Sequence, residues 1–180
     1  GDVAGGAPPR ANGSQRARTP RAGDSVAVSV ARMPGAEDLP LPHYASQAAA
    51  GADLAAAVDG VLWIEPGARA LVPTGLRIAL PAGYEGQVWP RSGLALRHGV
   101  TIPNAPGTID ADFRGELQVL LHNGGAEPFA VRRGDRIAQL VVAPVVRARW
   151  DERQSLDETA RGAGGFGHTG QGAPDGEGDA

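Results

Sequence analysis

The sequence predicts an all-β fold, a barrel or jelly roll, on three observations. About a dozen short stretches either alternate apolar and polar residues or run briefly apolar, the patterns of half-buried and fully buried strands. Turn-forming residues separate them roughly every eight to twelve residues. The chain also carries 27 glycines, 15 prolines and few aromatics, which suits short strands and turns better than long helices. At 180 residues, one sizeable core fits and two do not fit comfortably.

Residues 1–24 are rich in Gly, Ala, Pro and Arg, with Arg10, Arg16, Arg18 and Arg21 making them basic. They offer almost nothing to bury, so a disordered tail is expected. Order should begin at Ser25. In SVAVSV, Val26, Val28 and Val30 fall on one face of a half-buried strand. Pro34, Pro40 and Pro42 then impose an extended connection. AAAGADLAA is helix-prone through its alanines, but it is short and Gly51 interrupts it. VLWIEPG and RALVPTGLRIALPAG give two or three strands split by Pro-Gly and Pro-Thr-Gly turns.

GQVWPRSGLALRHGVTIPN reads as a strand, a Ser-Gly turn, one or two helical turns through Leu96, and another strand. GTIDADFRGE, Gly107 to Glu116, looks like a tight hairpin. In extended chain Asp110 and Asp112 would share a face, and a hairpin would part them. One carboxylate is then free for a ligand while the other holds the turn or pairs with Arg114. ELQVLLHN places Leu117, Val119 and Leu121 on one face of a strong strand, and FAVRRGDRIAQLVVAPVV reads as a hairpin turning at Arg133-Gly134-Asp135. The barrel domain is thus expected over 25–149. DERQSLDETA is polar and suits at most a helical turn. Residues 150–170 end in the glycine-rich RGAGGFGHTG, either a tail or an arm that orders over a ligand. Residues 171–180 form an acidic, disordered tail.

A net charge of -3 argues against a general nucleic-acid binder. The absence of cysteine excludes disulfides, thiolate nucleophiles and thiolate metal sites. His43, His98, His122 and His168 show no metal-ligand spacing. No apolar run approaches a membrane span, and the N-terminus shows no apolar signal core. A soluble cytoplasmic protein, with no nucleic-acid or membrane partner, is the expectation.

Five stretches carry chemistry. In GTIDADFRGE, Asp110 is a candidate carboxylate with an aromatic, Phe113, close behind. PRSGLA offers the Arg91 guanidinium, the Ser92 hydroxyl and free N–H groups around Gly93, a cradle for phosphate oxygens. RGDRIAQL presents Gln139 on an apolar strand, as an edge residue or a ligand contact. In AGADL, Asp53 either caps local backbone or holds the water shell of a divalent cation. RGAGGFG supplies Arg161 for a phosphate and Phe166 for stacking on a flat ring.

Each stretch alone is an ordinary turn or strand. In this order and spacing they resemble the five motifs of the homotrimeric deoxyuridine triphosphatases (dUTPases), from about Ser25 to Gly170. The related dCTP deaminases share that fold but typically carry an Arg-Ser-Ser second motif and a catalytic glutamate. Arg91-Ser92-Gly93 counts against that alternative, and Asp110 against a nucleotide-binding protein without turnover.

The resemblance implies a jelly-roll subunit, a three-fold homotrimer with shared active sites, and hydrolysis of dUTP to dUMP and pyrophosphate. That reaction keeps uracil out of DNA and supplies dUMP for thymidylate synthesis. Asp110 matches the family's catalytic carboxylate, which activates water for attack at the α-phosphorus. Asn104, Gly107, Thr108, Ile109 and the Asp110 main chain match the uracil-reading hairpin, and Phe113 matches a ring against deoxyribose. Arg91, Ser92, Gly93 and Gln139 match phosphate contacts. Arg161, Phe166 and Gly167 match the closing arm. Asp53 matches a carboxylate that reaches Mg²⁺ through water, the ion being held mainly by the triphosphate. Asp112 and Arg114 are expected to hold the hairpin and a subunit contact.

Overall fold

The computed structural model describes residues 25–166, so expectations for 1–24 and 167–180 lie outside the described residues. The chain divides into two compact units, 1–146 and 147–180. The described part of the first is nearly all β: twelve strands and one short helix.

Its largest sheet has five strands in the order β2 (His43–Tyr44), β3 (Ala52–Ala55), β12 (Arg136–Pro144), β7 (Tyr84–Trp89) and β9 (Gly107–Ile109). A second sheet orders β5 (Arg69–Pro73), β10 (Gln118–Asn123) and β8 (Val100–Thr101). β1 (Ser29–Arg32) pairs with β6 (Leu76–Ala79), and β4 (Val61–Ile64) with β11 (Phe129–Arg132). Every pairing is antiparallel. The alternation in ELQVLLHN is what it promised: Leu117, Val119 and Leu121 are each 1% exposed. With Leu54, Ile64, Val72, Val131 and Ile137 they form the centre of one core. Truncating such a leucine to alanine typically costs about 2–5 kcal/mol. The buried polar Asn123 is fully used, donating to the Ile64 and Glu127 carbonyls and accepting from the Gly125 N–H.

Helix α1 (Ser92–His98) runs slightly past the expected Leu96 and stops at Gly99, whose φ of 68° is left-handed. The Ala run before β3 forms no helix; Gly51 leads straight into a wholly buried strand. Residues 151–160 hold no helical turn before Ala160 either. β1 is shorter than SVAVSV suggested, with Val30 38% exposed and Val28 packed on the core.

Two expected hairpins are corrected. β9 pairs with β7, whereas β10 pairs with β5 and β8, so the Asp110–Gly115 turn carries the chain between sheets. β11 pairs with β4, whereas β12 pairs with β3 and β7, so Arg133-Gly134-Asp135 does the same. A turn of either kind has the same local chemistry; only long-range pairing distinguishes a hairpin from a crossing, and sequence spacing does not carry it. The second turn is fastened by Arg133, which donates to both Asp38 oxygens and to the Gly35 carbonyl. The Arg133 guanidinium holds the exposed Asp38 carboxyl below its usual range, and Asp38 in turn raises Arg133. No helix among the described residues is long and apolar enough to cross a membrane.

Candidate active site

The sequence-predicted residues fall into three groups. The first gathers where β3 and β12 pair and the N-terminus of α1 approaches them. Asp53 on β3 is only 3% exposed. Its Oδ2 accepts from Arg136 Nη1 at 2.9 Å. Its Oδ1 lies 3.3 Å from Arg91 Nε and 3.4 Å from Gln139 Nε2. Arg91 Nη1 also donates to the Arg136 carbonyl at 3.2 Å. Asp53 and Gln139 are direct cross-strand partners, which is why two motifs so distant in sequence meet. Arg91 is the N-cap of α1, so Ser92 and Gly93 occupy the turn whose N–H groups lack intrahelical acceptors. Gly93 lies beneath the Arg97 guanidinium, where a Cβ would sit 3.0 Å from Nη2.

Two members of this cluster escaped the sequence reading. Arg136 sits three positions before Gln139, the wrong parity for one strand face. Gly51 gives no outward signal, yet a Cβ there would lie 3.0 Å from Gln139 Cβ and 3.3 Å from its Cδ. Its missing side chain leaves room for the glutamine.

The second group surrounds β9. Gly107 packs against Val88 and the Asn104 amide, with a virtual Cβ 3.2 Å from Asn104 Nδ2. Thr108 and Ile109 continue the strand opposite Gln87 and Gly86. The chain then turns: the Phe113 N–H donates to the Asp110 carbonyl at 3.1 Å, which ends the extended geometry that would have aligned Asp110 with Asp112. Arg114 pairs with neither carboxylate and donates to the Ala111 and Phe113 carbonyls, each at 2.7 Å. The Phe113 ring lies over Gly115, where any Cβ would collide with it. Asp110 is exposed, and among the described residues no side chain pairs with it.

These two groups stand well apart within one chain. The rung His43–Asp53–Gln139–Trp89 crosses β2, β3, β12 and β7. β9 joins β7 with Ile109 opposite Gly86, three residues along from Trp89. Three residues along the strand and three strand spacings across, at about 3.3 and 4.8 Å each, separate Asp53 from Ile109 by roughly 15 Å or more.

The third group belongs to the second unit. Arg161 Nε donates to the Gly164 carbonyl at 2.9 Å, and the Gly164 N–H returns a bond to the Arg161 carbonyl at 3.1 Å. Phe166 is fully exposed with a φ of 49°, unusual for a residue with a side chain. Gly167, expected to join it, and His168 lie outside the described residues.

No set of three or more His, Asp or Glu among the described residues could enclose a metal ion. Asp53 is the one carboxylate in the first group, and nitrogen donors already face both its oxygens.

Comparisons with known proteins agree on one family. The dUTPase family model matches residues 37–170. A deoxyuridine 5'-triphosphate nucleotidohydrolase of Methylocella silvestris is 57% identical over 152 residues, 83% of this chain and 95% of that protein. Among solved structures, a mutant Staphylococcus bacteriophage 80alpha dUTPase with dUpNHpp aligns at a TM-score of 0.73 and 22% identity, over 82% of this chain and 100% of its own. A mutant dUTPase from phage phi11 of S. aureus, a structure concerned with coordination of a structural Mg(II) ion, aligns at a TM-score of 0.65 and 21% identity, over 74% of this chain and 100% of its own. At those identities the two structures speak for the fold alone.

Proposed function

Because the chain belongs to the dUTPase family, we infer that it hydrolyses dUTP to dUMP and pyrophosphate, in a site assembled from three subunits of a jelly-roll homotrimer. The separation of Asp110 from the Asp53 cluster carries the shared-site reading. A triphosphate tail is far shorter than roughly 15 Å, so a nucleotide on Arg91 and Gln139 of one subunit needs its water activated by Asp110 of another.

On this reading the phosphates lie against Arg91, Gln139 and the Ser92-Gly93 turn. The Arg91 guanidinium and the neutral donors beside it offset charge on the tail and fix an in-line geometry. Asn104 and the main chain of β9 read the uracil edge. Cytosine swaps donor and acceptor at ring position 4 and leaves a partner unpaired, which is a strong basis for rejection. Phe113, fixed over Gly115, packs on deoxyribose and leaves no space for a 2′-hydroxyl. Asp110, exposed and without a side-chain partner among the described residues, takes the proton of the water that attacks the α-phosphorus. Arg161 and Phe166, with Gly167, close the site from the arm, spanning 150–170, of a third subunit.

With one carboxylate, whose oxygens already face nitrogen donors, the Asp53 cluster would not enclose Mg²⁺ by itself; Asp53 would meet, through water, an ion held mainly by the triphosphate. When bound, the ion neutralises charge on the phosphate oxygens. Turnover of dUTP against dCTP, dTTP and UTP with Mg²⁺, followed as pyrophosphate release, tests the reading. Selective dUTP turnover is expected; ammonia release from dCTP or no turnover at all would overturn it.

Gly51→Ala tests the phosphate side. The added methyl crowds Gln139 at 3.0 Å and should displace its amide, raising KM for dUTP up to about tenfold, the equivalent of one weakened hydrogen bond. An unchanged KM would mean that Gln139 does not contact the tail.

A further inference from the structure

We propose that Arg136 is a positioning residue that holds Asp53 in place and supplies its counter-charge, leaving Arg91 and Gln139 free to turn to the triphosphate. The inference rests on the functional reading above and adds a division of labour within its phosphate-binding cluster.

Strand parity is the first observation. Arg136 and Gln139 are three positions apart, so in a regular strand they would face opposite sides. The register between β12 and β3 slips between Arg136 and Ala138: Ala138 lies opposite Leu54, but Arg136 lies opposite Ala55. Ile137 is thus an extra residue, and it is buried together with Ala138. Ala55 and Asp53 are two apart and share a face, and cross-strand partners share a face. The bulge therefore brings Arg136 onto the side of Asp53 and Gln139. Bulges next to active sites commonly re-aim a side chain in this way.

Bond quality is the second observation. Arg136 makes a well-formed hydrogen bond to Oδ2 at 2.9 Å. On Oδ1, Arg91 stands at 3.3 Å and Gln139 at 3.4 Å, both longer than good charge-assisted bonds. An incoming anion competes with Asp53 for these partners, and the looser two are the ones it can take. Asp53, with its side chain 1% exposed, cannot be left with no partner except at large cost. Arg136 meets that need on the far oxygen and keeps Oδ1 facing the ligand.

The test is a double-mutant cycle of Arg136→Gln, Asp53→Asn and both together. It is read by calorimetric affinity for a non-hydrolysable imido-dUTP with Mg²⁺ and by kcat and KM for dUTP. Unfolding and sedimentation runs check the integrity of each variant. Arg136→Gln should weaken analogue binding by about tenfold, and that loss should vanish in the Asp53→Asn background, because the residue acts through Asp53. Arg136→Lys, which keeps a positive donor, should retain most of the affinity, and it replaces Arg136→Gln in the cycle if that variant does not fold. A loss of the same size in both backgrounds would show that Arg136 contacts phosphate itself and would overturn the proposal, as would wild-type affinity in Arg136→Gln or, where the Lys cycle is used, a tenfold loss in Arg136→Lys that persists with Asp53→Asn. If the wild-type protein binds no analogue, the functional reading fails first, and this inference with it.

Discussion

Asp110→Asn is expected to lower kcat for dUTP by about a hundred-fold to ten-thousand-fold, the usual contribution of a general base, while analogue binding and assembly stay close to wild type. The amide is nearly isosteric but a far poorer proton acceptor. Asp110 is exposed, follows β9 directly, and has its carbonyl, not its carboxylate, engaged in the turn to Phe113. Among the described residues no side-chain hydrogen bond or ion pair uses its carboxylate. Pyrophosphate release and calorimetry on the variant check this together. Hydrolysis near the wild-type rate would remove Asp110 from the role, and lost binding would make it a recognition residue instead.

Deleting everything after Asp157 should leave the first unit folded and cost about a hundred-fold to ten-thousand-fold in kcat/KM. The buried apolar core ends at Leu140, so the deletion removes none of it. On the proposed reading the deletion would remove stacking by Phe166, worth about 1–3 kcal/mol by analogy with bases on aromatic platforms, and the charged bonds of Arg161, worth about 1.5–3 kcal/mol. Each 1.4 kcal/mol is about tenfold. Phe166→Ala alone should reproduce the first part. The full exposure of Phe166 in the described structure fits a ring whose partner is a ligand. Truncation that leaves turnover unchanged would reduce the arm to a tail.

Much of the fold was legible because its signals are local. The parity of Leu117, Val119 and Leu121 marks a core strand wherever it sits, and the short helix was expected after the Ser-Gly turn, through Leu96 where the structure runs to His98. Pairing was not legible. Both supposed hairpins, at Asp110–Gly115 and at Arg133–Asp135, are crossings between sheets, and turn chemistry does not reveal which strand a chain pairs with next. At the Asp53 cluster, Asp53 and Gln139 were visible as polar residues in small or apolar surroundings, and Arg91 as a guanidinium beside a Ser-Gly turn. Arg136 was not, because a one-residue bulge reverses its face, and Gly51 acts only through the space it leaves.

The most direct test of the central claim mixes two variants expected to be strongly impaired. Asp110→Asn lacks the base, and Arg91→Gln lacks a phosphate contact. The two chains are unfolded together in equal amounts, reassembled, and assayed for pyrophosphate release from dUTP. If the phosphate cluster comes from one subunit and Asp110 from another, a site is whole when each contributor happens to be intact, one half times one half, so about a quarter of wild-type activity should return. If each chain carried a complete site, every site would contain one of the two substitutions. Activity no greater than that of the separate variants would then contradict the shared-site account.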